Sequence, residues 1–394
     1  MARSEIVVVG AARTAIGTYG GSLKDVPMTR LGAIAVRAAL ERSGAQPAQV
    51  GHVVMGNVIP TDPSDAYIGR VSAIDAGIPK EVPSFHLNRQ CGSGLQAIIS
   101  AAQLIMLGDA DIAIGGGVES MSRAVYIVPG ARWGVRMGDA PLVDYMTGAL
   151  QDPWQRIHMG VTAENVAERY GITREMQDAL ALESQRRAAR AIAEGRFKSQ
   201  ITPVEIKSKK GPMQFEVDEH VRSNVTPEQL AKMEPVFKKG GVVTVGNASG
   251  LNDGAAAVVL AEAGVARKLG LKPLARLVGY AFAGVDPAYM GIGPVPATRN
   301  VLERTGLQVK DLDVIESNEA FAAQACAVTR ELGLDPEKVN PNGSGISLGH
   351  PVGATGAIIT TKAIYELHRT GGRYALATMC IGGGQGIAAI YERV

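Results

Sequence analysis

The sequence predicts an α/β fold made of two similar units, with a third segment inserted between them. Two observations indicate this: short apolar runs alternate with helical patterns near both ends of the chain, and the two ends resemble each other. The glycine content is a third observation: 48 of the 394 residues are Gly, which is about 12% against a usual level of about 7%. A glycine excess without a repeat period is typical of tight strand–helix turns and of backbone that lies close to a ligand.

The N-terminal unit alternates strand and helix patterns over the first 120 residues. Runs of strand length and longer stretches with helical spacing follow one another: strands at Ile6–Val9, His52–Met55, Ser84–Leu87 and Ile112–Ile114, and helices at Leu31–Leu40 and Leu95–Met106. Such alternation predicts a mainly parallel sheet that is covered by helices.

The C-terminal unit, from residue 272 onward, repeats this alternation. The predicted strands are Ala275–Val278, Val314–Glu316 and Tyr374–Ile381, and the helices lie near Ala297–Thr305 and begin at Ala320 and Ala354. Each unit has a Gly- and Ser-rich turn that starts with Asn and opens a helix (residues 88–94 and 342–350). Each of these helices leads to a strand that ends in three glycines (115–117 and 382–384). Duplication of one α/β unit explains these matches; chance similarity is the alternative.

The segment between the two units has a different composition. It holds both tryptophans, a charged helix that Thr173 caps and that runs to about Glu194, and then a Lys-rich irregular stretch over residues 198–239. We therefore divide the chain into an N-terminal half (residues 1–119 plus 251–272), an inserted loop domain (120–250) and a C-terminal half (273–394). The inserted domain is a candidate ligand lid, because binding residues concentrate on such insertions.

Charge and cysteine content disfavour several classes of protein. The 40 Lys and Arg against 38 Asp and Glu give a net charge of +2 without long runs of one sign, so we expect no nucleic-acid partner. The three cysteines are odd in number and widely spaced, which disfavours a disulfide framework and a metal site. We expect a cytoplasmic protein, because no signal peptide or C-terminal targeting tag is recognisable. The uncharged stretch Tyr374–Tyr391 could span a membrane by length, but its glycines favour a strand and a turn.

Cys91 is the first candidate for chemistry. It follows the predicted strand Ser84–Leu87 and precedes a helix, and the free N–H groups at a helix N-terminus stabilise a thiolate. Such a position can lower a thiol pKa from about 8.5 to about 3.5–7.5. The alternative is that Cys91 is a small buried apolar residue, and its position alone fits both interpretations.

Three further residues lie in glycine-rich loops or at strand ends. His350 stands between a glycine and a proline, in a loop that would present its ring, although a histidine that caps its own turn is the alternative. Cys380 ends an apolar strand next to Gly382, and this glycine run could offer N–H groups to an oxyanion. Asn318 lies where a strand ends and a helix starts, so its amide either supports an oxyanion or caps the helix. Cys326, in the middle of a helix pattern, is expected in the core.

Six sequence blocks, taken together, resemble the thiolases. In chain order they are residues 88–97 (NRQCGSGLQA), 156–160 (RIHMG), 246–254 (GNASGLNDG), 318–321 (NEAF), 342–356 (NGSGISLGHPVGATG) and 380–386 (CIGGGQG). Their order and spacing match over essentially the whole chain, and the likeness is strongest to the bacterial biosynthetic β-ketothiolases of broad substrate range. The resemblance implies the thiolase fold, in which duplicated α/β units form a five-layered αβαβα core with an inserted loop domain.

The resemblance also implies catalytic roles. Cys91 would be the nucleophile that carries the acyl group as a thioester, and His350 would take its proton. Cys380 would move a proton to and from the α-carbon of acetyl-CoA. Asn318 would hold the water of one oxyanion hole, with His350 as the other donor, and the N–H groups of Cys91 and Gly382 would form a second hole.

A coenzyme A site without a metal or redox cofactor is implied as well. Ala248 and Ser249 are expected near the pantetheine, and Leu150, His158 and Met159 along the tunnel. Phe237, Met290, Ala320 and Phe321 are expected around the thioester end, and Arg222 near the phosphates. Three lysines, Lys207, Lys209 and Lys210, either assist at the phosphates or form a solvated surface. Val352 and Thr355 stand where many relatives carry Ile and Ser, which leaves the fine substrate preference open.

The expected reaction is the reversible condensation of acetyl-CoA with acetyl-CoA or a slightly longer acyl-CoA, through an acyl-cysteine in a ping-pong sequence. The expected partners are acyl-CoA, CoA and copies of the same chain, because Ser120–Tyr145 resembles the segment that joins two dimers into a tetramer; neither nucleic acid nor a membrane is expected. A degradative 3-ketoacyl-CoA thiolase and a non-catalytic acyl-CoA or lipid carrier are the alternatives on the same fold. A decarboxylating ketoacyl synthase would use a second histidine where this chain has Cys380. An NAD-dependent dehydrogenase is disfavoured because no GxGxxG follows the first strand.

Overall fold

The computed structural model describes residues 5–208 and 211–394. The strands are β1 (Ile6–Thr14), β2 (Gly17–Thr18), β3 (His52–Gly56), β4 (Ser84–Leu87), β5 (Ile112–Ser120), β6 (Tyr126–Ile127), β7 (Val143–Asp144), β8 (Ile201–Thr202), β9 (Val204–Ser208), β10 (Gly211–Phe215), β11 (Asn252–Glu262), β12 (Ala275–Gly284), β13 (Val314–Ser317), β14 (Tyr374–Ile381) and β15 (Gln385–Arg393). The helices are α1 (Met28–Ser43), α2 (Ile68–Asp75), α3 (Ser93–Leu107), α4 (Tyr145–Ala149), α5 (Met159–Tyr170), α6 (Arg174–Ala193), α7 (Pro227–Ala231), α8 (Ala263–Lys268), α9 (Pro294–Thr305), α10 (Ala322–Leu332), α11 (Gly345–Leu348) and α12 (Thr355–Thr370).

The predicted strands and helices are present, and most are longer than the apolar runs that predicted them. The charged helix of the inserted segment is α6, and the Thr173 hydroxyl accepts a hydrogen bond from the backbone N–H of Met176 at 3.3 Å, as expected of an N-cap. The sequence did not predict β11, an almost entirely buried strand in the middle of the N-terminal half.

The main sheet consists of two halves joined edge to edge. Its strand order is β13-β14-β15-β12-β1-β11-β5-β3-β4, and β1 and β12 pair at only two positions, Val7 with Arg276 and Val8 with Ala275. Helices α1 and α2 cover the outer face of the N-terminal half, and α9 and α10 cover the outer face of the C-terminal half. Helices α3 and α12 pack against each other and against both halves, which completes five layers.

Helix α3 owes its apolar character to this central position. The stretch Gln90–Leu107 is apolar and long enough to cross a membrane by those criteria alone, with a mean hydropathy of 1.2, but 61% of it is buried inside the protein. In the described chain it is a core helix between two sheet halves, because α3 packs on β3, β5 and α12.

The expectation of a mainly parallel sheet is wrong. Strand β3 pairs in parallel with β4 and β5, and β13 pairs in parallel with β14, but β11 and β15 run antiparallel to both of their long neighbours. Strand β15 follows β14 after a tight turn in which Gly383 and Gly384 have φ of 83° and 82°, and a tight turn can join only antiparallel strands. After β5 leaves the sheet, the chain passes through the inserted segment and re-enters beside the end of β5. Strand β11 therefore runs antiparallel to β5.

Three glycines let the two halves meet backbone to backbone. A Cβ on Gly117 of β5 would lie 2.2 Å from the carbonyl oxygen of Gly353 and 3.0 Å from the Cα atoms of Gly94 and Ala354. Gly94 is in the first turn of α3, and Gly353 belongs to the loop that leads from His350 into α12. Glycine at these positions therefore decides how closely the two candidate catalytic segments approach each other.

We predict that Gly117→Ala lowers the free energy of unfolding by at least about 1–3 kcal/mol, because the added methyl group would overlap main-chain atoms that cannot rotate away. Gly148→Ala is the matched control: a Cβ there meets no atom within 4 Å, and the φ of Gly148 is not in the left-handed region. Urea denaturation of both variants measures the difference. Equal unfolding free energies for the two variants would contradict the packing argument.

Candidate active site

Cys91 is held in a tight turn at the start of α3. Gln90 adopts a left-handed backbone with φ of 46°, and the Ser93 hydroxyl donates to the carbonyl of Gln90 at 2.7 Å. A Cβ on Gly92 would lie 2.6 Å from Cδ1 of Ile381. The absence of a side chain at Gly92 thus allows Cys91 to approach the end of β14.

The Cys91 thiol is enclosed by protein, although the residue as a whole is partly exposed. Burial raises the pKa of the Cys91 thiol to about 11, and the backbone N–H groups of Gly382 and of Cys91 itself, which point at the sulfur, oppose that rise. The expectation that the helix N-terminus would lower this pKa is wrong, because loss of water outweighs the N–H dipoles. The resting thiol is therefore neutral and needs a base.

Cys380 lies beside Cys91 at the end of β14 and is 1% exposed. Burial raises the pKa of the Cys380 thiol, and a negative charge on Cys91 would raise it further. The two thiols therefore interact electrostatically, and at most one of them carries a negative charge at a time.

His350 is buried and neutral, and one of its ring nitrogens is free to accept a proton. Burial lowers the pKa of His350 to about 4. Its Nδ1 lies 2.7 Å from the Thr355 hydroxyl, which itself donates to the carbonyl of Pro351 at 2.9 Å. We assign the hydroxyl proton to the Pro351 carbonyl, which makes Nδ1 the donor and leaves the lone pair on Nε2.

Asn318 and Asn252 contact His350 from two sides. The backbone N–H of His350 donates to Oδ1 of Asn252 at 2.9 Å, which anchors the loop. Nδ2 of Asn318 lies 3.4 Å from Nε2 of His350, and the backbone N–H of Asn318 donates to the carbonyl of Thr378 in β14 at 3.0 Å. Asn318 therefore presents an amide N–H₂ group next to the nitrogen that would act as the base.

The predicted catalytic candidates are joined in two groups. Cys91, Cys380 and Gly382 are joined by the contacts at the Cys91 sulfur, and Asn318 and His350 by their side chains. Cys326 lies elsewhere: it is partly buried on α10 and lines a separate cavity of about 500 Å³ beside α6.

The predicted substrate-binding residues lie along one path that leads to these groups. Arg222, Phe237, Ala248 and Ser249 line a cavity of about 470 Å³. The ring of Phe237 stacks on His158 with centroids 4.8 Å apart and meets Phe321 edge-on at 6.0 Å. The remaining residues belong to two apolar clusters, one with Met159, Met290, Ala248, Ala320, Phe321 and Cys380, and one in which Leu150 and Cys91 both pack against Val352.

Three lysines were candidates for contact with the phosphates, and the structure describes one of them. Lys207 is exposed on β9 and does not line the 470 Å³ cavity, whereas Lys209 and Lys210 lie outside the described residues. His220 does line it, and burial lowers the pKa of His220 to about 4. Sequence reasoning missed His220, Asn252 and the buried Glu119. Asn252 lies inside a recognised block, but no pattern in the sequence marks Glu119.

Comparison with known proteins decides the family. The thiolase N-terminal domain model matches residues 6–264, and the thiolase C-terminal domain model matches residues 271–393. The chain belongs to the thiolase family. This thiolase is 66% identical over 391 residues to the β-ketothiolase BktB of Cupriavidus necator, with 99% of each chain covered. It is 51% identical over 391 residues to an acetyl-CoA acetyltransferase of Pseudomonas aeruginosa, again with 99% of each covered.

Solved structures confirm the thiolase fold. The crystal structure of human mitochondrial 3-ketoacyl-CoA thiolase matches this thiolase with a TM-score of 0.98 at 46% identity, covering 99% of both chains. The same human enzyme in complex with CoA matches with a TM-score of 0.96 over 99% of this chain and 98% of that one. The family models divide the chain between residues 264 and 271, and the separate loop domain at 120–250 stays a prediction.

Proposed function

We propose that this thiolase is a β-ketothiolase that condenses acetyl-CoA reversibly with acetyl-CoA or a slightly longer acyl-CoA and releases CoA. It is an acyltransferase, as are the relatives named β-ketothiolase and acetyl-CoA acetyltransferase, to which it is 66% and 51% identical over nearly its whole length. The observation that carries the proposal is that Cys91, His350 and Cys380 lie on segments packed against one another: Gly94 after Cys91 and Gly353 after His350 both approach Gly117, and Cys91 and Cys380 interact electrostatically. A non-catalytic carrier is not favoured, because a carrier needs no such set of groups. The degradative alternative is not favoured either, because the relatives at 66% and 51% identity are named β-ketothiolase and acetyl-CoA acetyltransferase.

In the first half-reaction, Cys91 takes the acyl group from acyl-CoA. Nε2 of His350 removes the thiol proton, and the sulfur attacks the thioester carbonyl. The N–H groups of Cys91 and Gly382 interact with the Cys91 sulfur and would stabilise the oxyanion that forms on the carbonyl under attack. The CoA thiolate leaves and takes the proton back from His350, so the acyl-cysteine forms without net loss of a proton.

In the second half-reaction, acetyl-CoA becomes the carbon nucleophile. Cys380 passes its proton to His350, and the thiolate so formed removes a proton from the α-carbon; because burial raises the pKa of Cys380, this thiolate is a stronger base than an exposed one. Asn318, through a water molecule, and the protonated His350 stabilise the enolate oxygen. The α-carbon then attacks the acyl-cysteine carbonyl, the bond to Cys91 breaks, and the Cys91 thiolate takes the proton from His350. Cys380 keeps the proton of the α-carbon, so both thiols and the imidazole end neutral.

We assign the CoA thioester to the path that starts at the 470 Å³ cavity. Arg222 lies at its outer part and would meet the phosphates. The stacked rings of His158 and Phe237 and the cluster around Met290 would contact the pantetheine and the acyl group. The reaction forms a carbon–carbon bond and releases CoA without a change in total oxidation state, so it needs no redox cofactor, and the proposed residues supply its acid–base groups and oxyanion donors without a metal.

We also propose a tetramer, as a dimer of dimers through Ser120–Tyr145, and a cytoplasmic location. The hairpin of β6 and β7 stands apart from the main sheet, and its segment exposes apolar side chains, with Trp133 87% and Met137 96% accessible. Exposed apolar groups in such number are typical of an interface. The three free cysteines fit a reducing compartment.

The hairpin proposal predicts that Trp133→Lys combined with Met137→Lys lowers the assembly from four chains of 41.2 kDa to two, because charge at both positions opposes burial. Light scattering coupled to gel filtration measures the mass. Leu107→Lys changes a side chain that is 77% exposed on another surface and should leave four chains. A tetrameric hairpin variant would reject the proposed interface.

The proposed roles of the two thiols predict different defects. Cys91→Ala should form no acyl-enzyme, because the atom that carries the acyl group is absent. Cys380→Ser should acylate Cys91 at close to the wild-type rate but slow carbon–carbon bond formation by at least about 100-fold, since loss of a positioned acid–base group typically costs about 10²–10⁴-fold.

Quenched-flow mass spectrometry with labelled acetyl-CoA follows acylation, and acetoacetyl-CoA formation follows the second step. Labelled acetyl groups on Cys91→Ala at the wild-type level would disprove the nucleophile assignment. Equal losses in both half-reactions of Cys380→Ser would disprove a separate acid–base role.

Substrate range is tested by thiolysis of acetoacetyl-CoA and 3-ketohexanoyl-CoA with free CoA on the same preparation. We expect cleavage of both, with kcat/KM values within about 100-fold of each other, because the longer substrate carries two extra methylene groups and each is worth about 1–3 kcal/mol in an apolar pocket. Cleavage of the four-carbon substrate alone would limit the enzyme to acetoacetyl-CoA. Cleavage of neither by the folded protein would favour the carrier.

A further inference from the structure

Glu119 is a fully buried carboxylate that the proposed reaction does not use. It lies near the end of β5 and accepts four hydrogen bonds. Its Oε1 accepts from Nδ2 of Asn57 at 3.0 Å and from the backbone N–H of Ile59 at 3.1 Å. Its Oε2 accepts from the backbone N–H groups of Val58 at 3.1 Å and of Gly353 at 2.8 Å. Both oxygens are therefore fully used, and every partner is a donor.

The four donors come from two segments that the chain keeps far apart. Residues 57–59 follow β3 in the N-terminal half, whereas Gly353 belongs to the loop between His350 and α12 in the C-terminal half. Val58, Ile59 and Val352, which these bonds hold, form one apolar cluster that packs against Cys91. One carboxylate thus holds residues 57–59 and Gly353, and both of these segments contribute to the cluster that packs against Cys91.

The chemistry of the donor set favours a carboxylate at this position. An amide would turn an N–H₂ group toward at least one of the N–H donors, because each oxygen of Glu119 accepts from two of them. In the described part of the chain no cationic side chain pairs with Glu119. Burial, with a smaller effect of the Asp253 charge, raises the pKa of this carboxyl to about 8, and the hydrogen bonds from Ile59, Gly353 and Val58 oppose that rise. Because all four partners are donors and none accepts a proton from the carboxyl, the geometry favours the ionised form.

We propose that Glu119 is a positioning residue for acyl transfer, which holds residues 57–59 and the loop 351–354 against each other and thereby sets the relative position of Cys91 and His350. The kinetic consequence rests on the proposed function. Glu119 touches neither substrate nor reacting atom and acts only through the two segments that it joins.

The test compares Glu119→Gln with Asp65→Asn. Asp65 is also a buried carboxylate, and it accepts hydrogen bonds from the N–H and hydroxyl of Thr61 and the N–H of Asp62. Its partners lie three or four residues earlier in the chain, so it joins no two distant segments. Both substitutions remove the charge of a buried carboxylate. All three hydrogen bonds to Asp65 end on Oδ2, so asparagine can keep them, and Asp65→Asn controls for loss of buried charge alone.

The measurements are the single-turnover rate constant for acetylation of Cys91, the acetyl-CoA concentration that half-saturates it, and the melting temperature. We expect Glu119→Gln to reduce the rate constant about 100-fold, as a misplacement of about 1 Å does, with half-saturation within about threefold of wild type. Asp65→Asn should lower the melting temperature less, because asparagine can keep the three hydrogen bonds, and should leave the rate constant within about threefold of wild type. A rate constant for Glu119→Gln within threefold of that for Asp65→Asn would overturn the proposal, as would a loss that appears only in half-saturation.

Two further measurements keep the outcomes separate. If Glu119→Gln does not fold, Asn57→Ala removes one of the four donors and leaves the carboxylate; it should slow acetylation about tenfold, and an unchanged rate would overturn the proposal. If wild type itself is not acetylated, the proposed function fails. Positioning is then read from alkylation of Cys91 by iodoacetamide, followed by peptide mass spectrometry. A rate that Glu119→Gln changes at least tenfold relative to Asp65→Asn supports the proposal, and equal rates overturn it.

Discussion

The close approach of main chain to main chain at Gly117, Gly353 and Gly94 is the constraint on which the active site depends. The contact leaves no room for a Cβ at Gly117, which would lie 2.2 Å from the Gly353 carbonyl. It joins the N-terminal sheet half, helix α3 and the loop before α12 at one point. Because Cys91 precedes α3 and His350 precedes that loop, the same contact brings a nucleophile and a base from opposite ends of the chain into one site.

Burial then decides the chemistry of the groups that meet there. The N–H groups around the Cys91 sulfur favour a thiolate, but loss of water has the larger effect and raises the pKa of the thiol to about 11. The same loss of water lowers the pKa of His350 to about 4. A neutral thiol and a neutral imidazole can exchange a proton during the reaction. If the thiolate and the imidazolium were charged at rest, their mutual attraction would stabilise the resting pair. The N–H groups are held in place before charge develops, which is the arrangement that stabilises an oxyanion without reorganisation.

Local pattern was enough to predict most of the fold and the candidate groups. The period of the apolar residues predicted α1, α3 and β1, and the cap at Thr173 predicted the start of α6, because these features depend on neighbours within a few residues. The predicted strand directions were wrong, because the directions of β11 and β15 depend on where the chain returns to the sheet after β5 and β14. Strand β11 was missed since its polar and glycine-rich start, at Asn252–Gly254, resembles a loop until the sheet closes around it.

The sequence alone determined the family resemblance and the identity of the candidate nucleophile, base and amide, because each lies in a motif that is local in the chain. Tertiary structure alone decided the protonation state of Cys91 and His350, since burial depends on segments hundreds of residues away. It also decided the role of Glu119. Four donors from residues 57–59 and Gly353 meet its two oxygens only after the two halves have packed, and no spacing along the chain records a contact of that kind.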